Sequence, residues 1–265
     1  MRQSTDTTAR SITRVLAMLR HIAYATEGMR ASDLQKELKI PRASMYRVLN
    51  ALVNEDFIQQ DAVSGLYRIG PAAMNLGFWA RLASPLVRTA QPVLRDVSVA
   101  TGHLAELIIA VGAWRSVTLD VWIGRDTPLT VRIRPGNFVN LTHRYVPCAL
   151  FLAYGGEHRL QEYQRLADTP EGRERLGLKE PVTADDIERL RRWKKLGYAW
   201  DPQSGGPGVG RIAAPVFDLK SRTPKVAATI GVACPGKVLT APRALEWGKI
   251  LCEHARRLEE EISKS

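Results

Sequence analysis

The chain has 265 residues, 38 Lys+Arg against 27 Asp+Glu, a formal net charge of +11, and 45% hydrophobic residues. That balance excludes a disordered chain and leaves room for two domains, each with its own core. No apolar run nears the ~20 residues of a bilayer span, and MRQSTDTTAR lacks a signal peptide's apolar core, so a cytoplasmic protein without membrane contact is expected.

Cys148, Cys234 and Cys252 leave one thiol over in any pairing and have no metal-type spacing, which fits reduced structural cysteines, no metal and no cofactor. Residues 1–80 hold 10 basic and 7 acidic side chains, so most of the positive surplus lies further along. Bulk charge favours polyanions, but a local pattern must identify the site.

Residues 1–10 read as a polar, disordered tail. From Ser11, the apolar residues Ile12, Val15, Leu16, Leu19, Ile22 and Ala23 keep the helical period to about Ala25. Ser32-x-x-Gln35 has the form of a capping box opening a second helix, with Leu34 and Leu38 turned inward. Lys39-Ile40-Pro41 breaks that helix, and Pro41 suits the first turn of a third.

In the third helix Met45, Val48, Leu49, Leu52 and Val53 share one side, while Ala43, Arg47, Asn50 and Asn54 take the other. A guanidinium and two carboxamides, with no acid among them, are the side chains that read base edges and phosphates in a major groove. An ordinary amphipathic surface helix would carry the same apolar stripe. The next residues separate the two readings. Phe57–Gln60 and Leu66–Ile69 are strand-like runs around Asp61–Gly65, a hairpin directly after the helix. Helix, helix, helix, hairpin is a winged helix-turn-helix, spanning residues 11–70. The candidate DNA contacts are Ser32, Arg42, Ala43, Ser44, Tyr46, Arg47 and Asn50, with Arg68 on the wing.

Pro71 opens a linker helix, residues 71–90, with Leu76, Trp79, Ala80 and Ala83 on one stripe and an interruption at Ser84-Pro85. It is too apolar to stand free and is expected to pack on a partner chain or the next domain. Gln91-Pro92 starts a further helix to Thr101, with Gly102 at its C′ position. Leu104–Val111, Val117–Ile123, Leu129–Ile133, Tyr198–Trp200, Arg211–Phe217 and Lys225–Val232 are β-rich. Val146–Tyr154 reads as a short apolar helix, Thr183 caps another that ends at Gly197, and Pro242 opens a C-terminal one. Strands flanked by helices make residues 91–265 a compact α+β domain.

Gly205–Gly210 leads into a strand and not a helix, so it is a pocket-side loop and not a dinucleotide fingerprint. His103, Glu106, His143 and Cys148 show no ligand spacing with a third partner, and no nucleophile elbow occurs. Two other readings stay open: an enzyme acting on a bound small molecule, which turnover would reveal, and an interaction module using the winged helix for protein contacts. Selection among genomic DNA fragments separates the latter from a DNA regulator.

The chain resembles the IclR family of bacterial transcription regulators. Its first part looks like that family's winged helix in SITRVLAMLRHIA, ASDLQKELKIPRASMYRVLNALVNEDFI and GLYRIGPAAMNLG, and its second like the effector domain in PVLRDVSVATG, KKLGYAWD and GVGRIAAPVFD. The resemblance implies a winged helix-turn-helix joined by a linker helix to a GAF-like α/β effector-binding domain with an antiparallel sheet. It implies a homodimer or dimer of dimers on double-stranded operator DNA, with two third helices in successive major grooves. A small effector, commonly an organic or aromatic acid, would shift the Trp79 helix and with it their spacing.

By the same resemblance, the pocket lies where members have a small-residue turn opening a helix with Gly-Lys. Here that segment is Thr142–Ala149, and Pro147-Cys148 replaces the pair, bringing in Tyr145 and Val146. Asp201 matches the family's pocket aspartate, Arg211 a small pocket residue, and Gly231 and Ala233 two small polar positions. Either Arg211 pairs with a ligand carboxylate while Tyr145 stacks on an aromatic ring, or Arg211 sits at the rim with Asp201 or solvent.

Overall fold

The computed structural model describes residues 2–264 except Thr26, 125–132, Gly205 and 222–224. It divides into two compact units, Met1–Ser84 and Pro85–Ser265, a boundary inside the stretch read as a linker.

In the first unit α1 spans Arg2–Tyr24, α2 Ala31–Leu38 and α3 Arg42–Asn54, followed by the strands β1, Ile58–Gln60, and β2, Tyr67–Ile69, and by α4, Pro71–Ala83. The hairpin register is Gln59 against Arg68. Met18, Ile22, Leu34, Met45, Leu49, Ile58 and Tyr67 close the core. They are the inward positions of an amphipathic pattern that buries one stripe of each helix.

Three expectations need correction here. Helix α1 continues back to Arg2 through the stretch read as a disordered tail, since extending a formed helix adds one hydrogen bond per residue fixed. The Ser32 capping box does not form. Met29 and Tyr67 exchange backbone hydrogen bonds at 2.9 Å, which holds the chain extended through Arg30, so α2 starts two residues earlier and Arg30 is its cap position. Pro41 is likewise the cap of α3, one residue before its first turn. Lys39, at φ 51, makes the sharp turn between the two helices.

In the second unit α5 spans Pro85–Thr101, β3 Leu104–Val111, β4 Arg115–Trp122, β5 Phe138–Asn140, α6 Val146–Ala153, α7 Gly156–Asp168, α8 Pro170–Leu176 and α9 Ala184–Leu196. The strands β6, Ala199–Asp201, β7, Val209–Asp218, and β8, Lys225–Pro235, precede α10, Ala241–Lys264. Among the described residues six strands form one antiparallel sheet in the order β5-β4-β3-β8-β7-β6.

Helix α5 begins at Pro85, not at Gln91-Pro92, and holds Pro92 inside it. That proline forfeits one helical hydrogen bond, but Val87 and Ala90 are buried along with Val93, Leu94 and Val97, which favours the longer helix. The predicted strand Leu129–Ile133 falls at 129–132 outside the described residues, and β5 was not foreseen.

The sheet is covered on both faces, which explains why its strands read as near-continuous apolar runs. Ala105, Leu107, Ile212, Ala214, Ile230 and Val232 face α5 and α10. The alternate residues face α6, which packs with α7 to α9 over the other side. Among the described residues no helix is long and apolar enough to cross a membrane.

Candidate functional site

The outer face of α3 is solvent-facing: Ala43, Tyr46, Arg47, Asn50 and Asn54 are exposed, while Met45, Leu49 and Leu52 are buried. Ser44 is half-buried at the edge, and Arg42 in the first turn lies 5.7 Å from the Tyr46 ring centroid. Ser32 and, on the wing, Arg68 are also exposed. The wing is shaped by Asp61, whose carboxylate accepts from the Ser64 amide at 2.6 Å and hydroxyl at 2.7 Å, a self-contained turn. These hydrogen bonds hold the Asp61 carboxyl below the usual carboxylate range.

In the second unit a cavity of about 930 Å³ opens between the segment before α6, the end of α8, α9 and the β6–β7 loop. Tyr145, Asp201 and Arg211 line it, as do Gly206 and Pro207 of the glycine-rich loop. Val146, Pro147, Gly231 and Ala233 are buried and do not line it among the described residues. The two small residues still matter. Leu104, Ala233, Arg211 and Asp201 form one transverse row of the α6-facing surface, with Glu106, Gly231 and Ala213 in the next. Because β8 offers only Gly231 and Ala233 there, side chains from β3 and β7 can meet across it.

They do meet. Arg211, 7% exposed, places Nε 3.5 Å from Oε1 of Glu106, which is completely buried. Its Nη1 donates to the Ser204 carbonyl, and its guanidinium stacks 4.4 Å over the Tyr145 ring. The Tyr145 hydroxyl donates to Glu106 Oε2 at 3.4 Å. Burial pushes the Glu106 carboxyl up, with Arg211 and Tyr145 opposing. Burial, then the Glu106 charge, pushes the Tyr145 phenol up. Arg211 is thus neither at the rim nor paired with Asp201, and Tyr145 offers its ring to Arg211. The sequence did hold a signal for Glu106: a lone acid within LAELIIAV, a residue type almost never fully buried unless paired.

At the head of α6 the Val146 amide donates to Ser204 Oγ at 2.8 Å, and Pro147 has no amide proton. Neither position therefore offers an anion a free backbone amide, as a glycine-rich turn would. On the opposite wall His143 sets Nδ1 2.7 Å from the Tyr163 hydroxyl and Nε2 3.4 Å from Asp186 Oδ1. Burial, reinforced by Arg189 and Arg144 and opposed by Asp186, lowers the His143 pKa to about 4. Arg189 lies 3.2 Å from Asp186 and 3.8 Å from Asp201. The sequence reading missed this wall, which Asn137, Asn140 and Gln203 complete.

The described residues hold no cluster of three His, Cys, Asp or Glu able to bind a metal ion. Cys148, fully buried and 2.9 Å from Ser116 Oγ, has its thiol pushed up by burial to about 12, which suits packing and not nucleophilic attack.

Residues 11–62 match the family model of the IclR helix-turn-helix domain. The chain is 27% identical to the HTH-type transcriptional regulator BhcR of Paracoccus denitrificans, over 94% of this chain and 86% of that protein. It is 24% identical to the transcriptional repressor AllR of Klebsiella pneumoniae, over 94% and 89%. An IclR transcriptional regulator from Alicyclobacillus acidocaldarius has the same fold at a TM-score of 0.80, with 21% identity over 96% of this chain and 98% of that one.

Residues 11–62 are an IclR-family helix-turn-helix domain, and the chain as a whole is similar to IclR-family regulators. Its helix-turn-helix is a DNA-binding one, and the family relatives it matches are regulators and repressors of transcription. An IclR homologue from Microbacterium hydrocarbonoxydans, complexed with 4-hydroxybenzoate, matches at a TM-score of 0.71 with 20% identity over 96% of this chain and 100% of that one.

Proposed function

We propose that this chain selects an operator through α3 and the wing, and that a small organic anion in the cavity of the second unit changes its affinity for that operator. Arg47 and Asn50 serve as base readers, Arg42 and Arg68 as phosphate contacts, and Ser32, Ala43, Ser44 and Tyr46 frame the reading face. Two copies place their α3 helices in successive major grooves, ~34 Å apart.

The observation that carries the effector reading is Arg211. A guanidinium at a cavity wall, beside a helix start where the Val146 amide is engaged and Pro147 has none, points to a ligand carboxylate. The 4-hydroxybenzoate bound by the Microbacterium homologue is an acid of this class.

The test has two steps. Selection from genomic fragments at moderate salt yields the operator, and calorimetry with aromatic and aliphatic acids yields the effector. Arg211→Ala should bind that effector at least 100-fold more weakly, and unchanged binding would remove Arg211 from the site. Linkage further requires that effector affinity differ with and without operator, and equal affinities would defeat the regulatory reading.

A further inference from the structure

The cavity-lining charges are Arg144, Arg189 and Arg211 against Asp186 and Asp201. Glu106 stands behind them, off the cavity wall, and makes the set neutral when ionised. Its position is unusual. The side chain is wholly buried; among the described residues Oε1 has no hydrogen-bond donor, and the facing Nε of Arg211, 3.5 Å away, has no acceptor. The pair is an ion contact that is off-line for a hydrogen bond. Among the described residues, the groups facing Glu106 are Arg211 on β7 and Tyr145 and Cys148 at the head of α6. Asp120 on β4 pairs with Leu107 and so stands on the opposite face, where it accepts from Gln91.

A planar guanidinium binds a carboxylate through two adjacent N–H groups. In Arg211 the Nε edge faces Glu106, Nη1 is engaged by the Ser204 carbonyl and the ring face lies on Tyr145. A ligand that binds side-on, through Nε and Nη2, therefore displaces Glu106, whose contact no hydrogen bond among the described residues holds. Losing it would leave a buried carboxylate whose remaining partner is one phenol at 3.4 Å, and an unpaired buried charge is avoided by protonation.

Resting on the anionic-effector reading above, we propose that Glu106 is a proton-linked counter-ion of the effector site. It holds Arg211 in the free protein and takes one proton from solvent when an anionic ligand claims the guanidinium. The Tyr145 hydroxyl then turns from donor to acceptor of the new Glu106 proton, both roles being open to a phenol. Ligand uptake consumes one proton and leaves the buried charge balanced. Burial, which already pushes the Glu106 carboxyl up, works in the same direction. Effector affinity would then report pH as well as concentration.

The experiment uses the full chain with benzoate and 4-hydroxybenzoate as probes, whose carboxyl groups stay ionised from pH 6 to pH 8. Calorimetry in two buffers of different ionisation enthalpy counts protons directly. The expected result is uptake of about one proton per probe and a Kd that rises about tenfold per pH unit. Glu106→Gln should bind without proton uptake, with a Kd independent of pH. Infrared difference spectra of the wild type, which need no variant to fold, should show a protonated carboxyl band appearing on binding.

Binding of either probe without proton uptake overturns the role of Glu106 and leaves the anionic-effector reading standing. A protonated Glu106 band in the free protein at pH 7 also overturns it. If neither probe nor any short aliphatic acid binds wild type, the anionic-effector reading itself falls, and the counter-ion role with it.

Discussion

Asp186 joins a helix cap to the cavity wall. One carboxylate oxygen accepts from the Thr183 amide at 3.0 Å and hydroxyl at 2.8 Å, while the other lies 3.4 Å from His143 Nε2. Its capping box fixes the start of α9, so the same side chain places Arg189 one turn later against Asp201. Burial raises its carboxyl, but hydrogen bonds from Thr183 and the charges of His143 and Arg189 outweigh that and hold it below the usual range.

Asp186→Ala, which removes the N3 half of the capping box, should cost about 0.5–2 kcal/mol at pH 7, the range for lost N-terminal capping. Because the folded pKa is lowered, the contribution is present above the unfolded value and is lost as pH falls through the folded one. Urea unfolding at pH 7 and pH 3 should show the gap to wild type narrowing in acid. A constant gap would mean that the carboxylate charge is not what stabilises α9.

His143 gives a second, separate pH window. Its pKa drops from 6.5 unfolded to about 4 folded, so the unfolded chain binds the extra proton between those values. Stability is therefore full above about pH 6.5 and declines as pH falls toward 4, by up to roughly 3 kcal/mol at 1.36 kcal/mol per unit. His143→Gln, which keeps a polar contact to Tyr163 without titrating, should flatten the curve in that window. If the variant tracks wild type through pH 5, His143 is not the titrating group.

Local features were the ones legible in the chain. Thr183 with acids in the first turn and Gly197 at the end give α9 directly, because caps are fixed within four residues. The alternation of α3 gives its two faces for the same reason. The cavity was not legible because long-range pairing assembles it. Ser204 reaches the Val146 amide across 58 positions, and Glu106 meets Arg211 only because β3 and β7 flank β8. The capping box at Ser32 misled because a tertiary contact, Met29 with Tyr67, decided where α2 begins.

The Glu106–Arg211 pair invites a double-mutant cycle. Arg211→Leu alone strands a buried carboxylate and should destabilise by about 3–5 kcal/mol at pH 7. Adding Glu106→Leu removes the stranded charge, so the double variant should recover most of that loss, as buried pairs replaced by apolar residues commonly do. Chemical denaturation of the four proteins reads the coupling. Simple additivity would show that the two side chains do not interact energetically.

On the DNA-binding unit, two kinds of loss should be distinguishable. Arg47→Ala with Asn50→Ala should bring operator affinity down to that for random DNA, each good base contact being worth about 1–3 kcal/mol of discrimination. Arg68→Ala should weaken all sequences alike and lower the salt slope by about one. Fluorescence anisotropy against operator and scrambled duplex over a salt series separates them. Retained selectivity in the double variant would move the reading face off α3.

Helix α4 buries none of its residues in this chain, yet Met74, Leu76, Phe78 and Trp79 are each more than half exposed. Phe78 and Trp79 pack edge to face at 5.9 Å, a preformed aromatic anchor pair. A patch of this kind is costly in water unless covered, and aromatic residues dominate the energetics of protein interfaces. If a second copy covers it, Phe78→Glu with Trp79→Glu should weaken self-association by at least about 100-fold, two anchors being lost from each chain. The fold should be untouched, because no buried α4 side chain changes. Sedimentation should then show monomers, with half-site DNA binding retained and full-operator affinity lost. Wild-type sedimentation in the double variant would show that no second copy covers this face.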